Sequence, residues 1–151
     1  MRIAGQRIGR VISLTAIAIA CSSDSQLRPF TSDGCSLFPD SSPISAHDWC
    51  SCCFEHDLAY WRGGTSEERA TADLLLEDCV LQKTGDESFA KLMYAGVRAG
   101  GSPYFYNRYR WGYGWRFDRK YQSLTPKESE IADGLVEEYF TSIDGPLCAS
   151  E

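Results

Sequence analysis

The stretch Cys52-Cys53-Phe54-Glu55-His56-Asp57-Leu58-Ala59-Tyr60 sets one of the chain's two histidines beside a carboxylate, one helical turn after paired cysteines. Residues four apart share a helix face, so Cys52, His56 and Tyr60 form one stripe. Cys53 and Asp57 form a second stripe, about 100° around the axis at 3.6 residues per turn. An imidazole on one stripe and an acidic oxygen ligand on the next are what a general base beside a bound cation would need. Taken alone, a histidine in a helix is more often a packing group, so the neighbouring elements have to decide.

Those elements are legible. The helix carrying the motif is expected to begin near Ser45 to Asp48, run to Trp61 and end at Gly63-Gly64. Thr65-Ser66-Glu67-Glu68 is a capping box that opens a second helix, through Leu74-Leu75-Leu76 to about Lys83. So short a link predicts an antiparallel pair. Along it, Cys52 precedes His56 by about 6 Å, and Asp73 precedes Cys79 by about 9 Å, at 1.5 Å per residue. A Cys52–Cys79 bridge would therefore set His56 facing Asp73, with Tyr60 one turn further on and able to reach the same carboxylate. A His–Asp pair fixes the imidazole tautomer and leaves the other nitrogen to act as a base.

Gly85 breaks the pattern, and Glu87 to Ala99 predicts a third helix ending at Gly100-Gly101. Tyr109, Trp111, Tyr113, Trp115 and Phe117 alternate with period two, which predicts a small aromatic β-hairpin. Two roles suit that segment. It packs over the helices, or it lies at a membrane–water boundary with Arg108, Arg110 and Arg116 meeting headgroup phosphates. Thr125-Pro126-Lys127-Glu128 caps a final helix through about Phe140, and Cys148 lies in the tail. The expected fold is mainly α: an antiparallel helix pair, a third helix, the aromatic hairpin and a C-terminal helix.

A chain of 151 residues is one domain by length. Arg2, Arg7 and Arg10 precede an apolar run from Val11 to Ala20, so residues 1–20 read as a secretory signal peptide. The run is too short to span a membrane. Ala18-Ile19-Ala20-Cys21 resembles a lipoprotein cleavage box, with Cys21 acylated as the mature N-terminus; ordinary cleavage nearby is the alternative. Seven cysteines are odd in number, and a lipid on Cys21 leaves six for pairing. Residues 21–32 read as a lipidated polar tether, and 33–151 as the folded domain. The expected location is outside the cytoplasm, as an outer-membrane lipoprotein or a periplasmic or secreted protein, where disulfides form.

Removing the leader takes away three Arg and no acid, so the formal charge moves from −6 to −9. That balance argues against nucleic acid as a partner, and against anionic lipid held by bulk charge alone. No protein partner is identifiable. Cys50-Ser51-Cys52-Cys53 with His47 and His56 also admits a zinc reading. However, zinc sites space their cysteines by two to four residues, and exported thiols oxidise. His47, ahead of the helix, is expected to be structural or incidental.

Cys-Cys-x-x-His-Asp-x-x-Tyr on one helix, followed by Asp-x-x-x-x-x-Cys on the next, resembles the secreted phospholipase A2 superfamily over roughly Gly34 to Cys79. The resemblance implies the bridges Cys35–Cys53 and Cys52–Cys79, which leaves Cys50 with Cys148 by elimination. A further family bridge joins a cysteine just before the motif tyrosine to one just before the second-helix Asp. Here those places hold Ala59 and Ala72, so both partners are absent together.

The resemblance also implies calcium-dependent hydrolysis of the sn-2 acyl ester of phospholipids in a membrane or micelle. His56 would be the general base on a water and Asp73 would orient it, with Tyr60 on the same carboxylate. Asp57 would bind Ca²⁺ with the backbone carbonyls of Gly34, Ser36 and Phe38 in a preceding calcium loop. A hard cation on oxygen ligands suits ester hydrolysis, because it polarises the carbonyl. The loop carries a single glycine, Gly34, where family members usually have several. The alternative expectation is a catalytically silent module of the same kind, binding lipid or serving as an envelope lipoprotein.

Overall fold

The computed structural model describes residues 27–35, 48–142 and 148. The expected leader, the expected acylation site Cys21, the loop residues Ser36 and Phe38, and His47 lie outside the described residues. Within them the chain is mainly helical: α1 is Cys50–Arg62, α2 Ser66–Thr84, α3 Glu87–Gly100 and α4 Pro126–Ser142, with a single 3₁₀ turn at Phe117–Arg119.

Local chemistry sets each boundary. α1 starts at Cys50, after the Ser45–Asp48 expectation, with Trp49 as its N-cap and no side-chain cap; the Asp48 carboxylate accepts the Cys50 N–H at 2.8 Å. It stops at Gly63, which takes φ +69° and donates its N–H to the Ala59 carbonyl at 3.0 Å. Only glycine serves at that point, since a Cβ would sit 2.8 Å from the Gly112 backbone. The α2 capping box is complete: Glu68 N–H donates to Thr65 Oγ1 at 3.2 Å, and Thr65 N–H to Glu68 Oε2 at 2.7 Å. Asp86 caps α3 by accepting the Phe89 N–H at 3.0 Å.

As residue numbers rise along α1, their partners on α2 fall: Cys52 bridges Cys79, His56 meets Asp73, and Tyr60 meets both Asp73 and Arg69. That order makes the pair antiparallel. Two further disulfides, Cys35–Cys53 and Cys50–Cys148, tie the preceding loop and the C-terminal tail to the first turn of α1. Leu76 and Val80 of α2 pack with Ala90 and Met93 of α3 beside Cys52 and Cys53. A second core seats Ala132 of α4 on Trp61, Trp115 and Phe30. Trp61 is fully buried, and an indole hiding about 200 Å² is worth on the order of 5 kcal/mol.

Two expectations need correction. Residues 27–32 are not free tether: Leu27 and Phe30 are buried against Trp61 and Trp115, so the packed domain begins at or before Leu27. The aromatic β-hairpin is also absent, since residues 101–125 form turns and the 3₁₀ turn, with no strand among the described residues. The backbone of this segment pairs with helix ends instead of a partner strand. Gly112 N–H donates to the Tyr60 carbonyl at 2.6 Å, and Gly114 N–H to the Trp61 carbonyl at 3.2 Å. The indoles follow, Trp111 Nε1 to the Gly64 carbonyl at 2.9 Å and Trp115 Nε1 to the Arg62 carbonyl at 2.7 Å. Gly112, at φ +69°, turns the chain where a strand would run straight.

Candidate active site

His56, Asp57 and Tyr60 come from the middle and last turns of α1, and Asp73 from the facing turn of α2. His56 is 8% exposed and Asp73 fully buried, so the pair lies in low-dielectric surroundings. His56 Nε2 meets Asp73 Oδ1 at 2.8 Å. Tyr60 Oη donates to the same Oδ1 at 2.7 Å, and its ring lies 4.1 Å from the imidazole, centroid to centroid. Burial first, and the neighbouring Asp73 charge second, push the Tyr60 hydroxyl well above the ordinary tyrosine range, so it remains a donor.

The second carboxylate oxygen is held by two arginines. Arg98 Nη1 donates to Asp73 Oδ2 at 2.6 Å, and Arg69 Nε lies 3.8 Å from it. Arg69 is itself buried and fully engaged. Its Nε donates to Tyr60 Oη at 3.0 Å and its Nη1 to Tyr121 Oη at 2.9 Å. Its Nη2 caps the Val97 and Arg98 carbonyls at the end of α3, both at 2.9 Å. Burial alone would raise the Asp73 carboxyl. Hydrogen bonds from His56, Tyr60 and Arg98 outweigh it and hold the group below the usual carboxylate range. Asp73 is therefore an anion across the working range of most enzymes.

His56, Asp57 and Tyr60 line one pocket with Gly34, Cys35, Met93, Val97 and Gly101. Its volume is about 100 Å³, and its walls are mostly apolar. That admits a few waters and a reacting group, but not a whole lipid. Asp57 is half-buried, and Ser32 Oγ donates to its Oδ2 at 2.6 Å. Tyr113 Oη donates to the Asp57 carbonyl at 3.2 Å and to the Thr31 carbonyl at 2.7 Å, which fixes the approach of the 27–35 segment.

The structure thus brings together His56, Asp73 and Tyr60 in one hydrogen-bonded cluster, and Asp57 and Gly34 at the rim of the same pocket. Ser36 and Phe38, expected as carbonyl ligands, lie outside the described residues. The zinc reading has no thiolates to use, because Cys50, Cys52 and Cys53 are all in disulfides. Among the described residues, no group of three or more His, Cys, Asp or Glu side chains is placed to hold a metal ion. A calcium site relying on one carboxylate and backbone carbonyls would not form such a group.

Arg69, Arg98 and Ser32 were not anticipated. Arg69 had a signal, since it lies four residues before Asp73 on the same face of α2. Arg98 and Ser32 reach the site only through tertiary contact. No protein-family model, curated protein or solved structure matches this chain significantly.

Proposed function

We propose that this protein is an exported, calcium-dependent hydrolase of the phospholipase A2 type, cleaving the sn-2 acyl ester of phospholipids. The observation that carries the reading is the buried His56–Asp73 contact at 2.8 Å, at the wall of a pocket whose rim holds Asp57. With Nε2 bound to the carboxylate, Nδ1 is the nitrogen left for a pocket water. His56 takes a proton from that water as its oxygen attacks the ester carbonyl carbon. The tetrahedral intermediate then expels the glycerol oxygen, which receives the proton back from the imidazolium. Fatty acid and lysophospholipid are released, with no acyl-enzyme. Asp73, held ionised, supports the imidazolium in between, and Tyr60 keeps the carboxylate in line.

Hard oxygen donors beside the base are the chemistry calcium selects: the Asp57 carboxylate and the Gly34 backbone, with Gly34 in the left-handed conformation at φ +75°. Asp57 and the carbonyls of Gly34, Ser36 and Phe38 would hold the ion in a calcium loop tied to α1 through Cys35–Cys53. When bound, calcium would polarise the ester carbonyl and stabilise the oxyanion. Among the described residues no helix is long and apolar enough to cross a membrane. In the proposed arrangement the signal peptide of residues 1–20 exports the chain and a lipid on Cys21 anchors it.

The test uses phosphatidylcholine carrying different acyl chains at sn-1 and sn-2. Release of the sn-2 acid that stops with EGTA supports the proposal. Vesicle binding without any fatty acid released would favour the catalytically silent lipid-binding module or envelope lipoprotein instead.

A further inference from the structure

Beside the active-site pocket lies a cationic cleft of about 970 Å³, and its walls include Arg28, Arg108, Arg110 and Arg116, with no Asp or Glu among the described residues that line it. In a chain with 21 acids against 15 Lys and Arg, a wall with four arginines and no acid is a concentrated exception. Arg110 is its fixed floor. It is 4% exposed, and its guanidinium donates to the carbonyls of Trp111, Gly112 and Trp115 at 2.7–3.1 Å. Its Cζ also lies 5.4 Å from the Phe117 ring centre. Arg110 therefore follows the packing role of this segment and not the headgroup role, as a buried charge in the wall of the cleft.

The other three line its mouth. Arg28 donates to the Tyr113 carbonyl. Arg108 and Arg116 are exposed, with partners Asp33 and Asp118 each at 3.4 Å. Exposed pairs of that kind are worth little and exchange readily. Tyr106, 89% exposed, adds an aromatic edge against Phe117.

The cleft neighbours the active site through shared wall residues. The active-site pocket shares Asp57 and Tyr109 with a small cavity of about 160 Å³, also lined by Asp33, which shares Thr31, Arg108 and Tyr113 with the cleft. A pocket of about 100 Å³ leaves the rest of a lipid outside, and Arg108 lines the cavity next to it.

We propose that the Arg28–Arg108–Arg116 cleft is a phosphate-binding site. If the phospholipase reading holds, on which this source rests, it takes the headgroup phosphate of an anionic phospholipid such as phosphatidylglycerol. Inorganic phosphate is the other source of the same chemistry.

The test measures binding rather than turnover, so it stands apart from the enzyme proposal. The full chain and its His56→Gln variant are floated in EGTA with phosphatidylcholine vesicles, with and without phosphatidylglycerol. Inorganic phosphate binding is measured separately by calorimetry. Both proteins should favour the anionic vesicles, and Arg108→Gln/Arg116→Gln should weaken that binding roughly 25-fold, at about fivefold per arginine. Both side chains are exposed, so the fold is kept, and Arg28→Gln provides a second, independent variant. Loss of phosphate binding in the variants with vesicle binding unchanged would keep the phosphate site and exclude the lipid as its source. Variants equal to the parent in both arms would overturn the proposal, whether or not fatty acid is ever released.

Discussion

Arg98 Nη1 and His56 Nε2 grip opposite oxygens of the same carboxylate, at 2.6 and 2.8 Å from Asp73. His56, the proposed base, is thus aligned by an anion that is itself clamped, and α3 is drawn into a dyad otherwise built from α1 and α2. One hydrogen bond to a charged group is worth about 1.5–3 kcal/mol. Arg98 is a third exposed, so the lower end applies. Arg98→Gln should therefore lower kcat about tenfold with KM little changed, and Arg98→Lys should recover most of it. A fall confined to KM, or no recovery with Lys, would show that Arg98 acts elsewhere.

Gly101 is required for a different reason. A Cβ there would lie 2.5 Å from Tyr60 Cε1 and 2.7 Å from its hydroxyl, displacing the donor to Asp73. Gly101→Ala should cost about 1–3 kcal/mol of stability by overpacking and depress activity further. Gly134, exposed within α4 with nothing within 4 Å of a Cβ, is the control. Gly134→Ala should raise stability by up to about 1 kcal/mol with activity intact. Thermal melts paired with rates separate the two cases; equal behaviour at both glycines would contradict the packing account.

The Cys52–Cys79 bridge spans 27 residues and fixes the register of α1 on α2. A loop of that length corresponds to about 3.5 kcal/mol of chain entropy in the unfolded state. Cys52→Ser/Cys79→Ser should lose stability on that scale, and lose activity even well below its melting temperature. Full activity in the folded double variant would mean that helix packing alone sets the register.

Glu128 provides a pH signature. The Arg119 guanidinium, donating at 2.7 and 3.1 Å, holds its carboxyl down at about 2, from an ordinary 4.5. A depressed carboxyl stabilises the fold fully above its unfolded value and loses that contribution as pH falls through its folded value. The stability gap between parent and Glu128→Gln should therefore be constant above about pH 5 and close as pH falls from 4.5 towards 2. A gap unchanged across that window would mean that the ion pair does not link the 3₁₀ turn to α4.

The helices and the dyad were legible because their determinants are local. Thr65 and Glu68 cap within four residues, and Cys52, His56 and Tyr60 lie on one stripe of one helix. The aromatic segment misled because alternation reports which side chains are large, not where the backbone bonds go. Here those bonds go to the carbonyls at the end of α1, about 50 residues away in sequence, and to the neighbouring buried Arg110. Arg98 was hidden for the same reason, being 25 residues from the carboxylate it holds.

The most direct measurement is the initial rate of sn-2 fatty acid release at saturating Ca²⁺, comparing the parent with His56→Gln. Loss of a general base should lower that rate by about 10²–10⁴-fold while the folded structure and vesicle binding persist. A His56→Gln protein that turns over at the parent rate, or a parent that releases no fatty acid at all, would contradict the account.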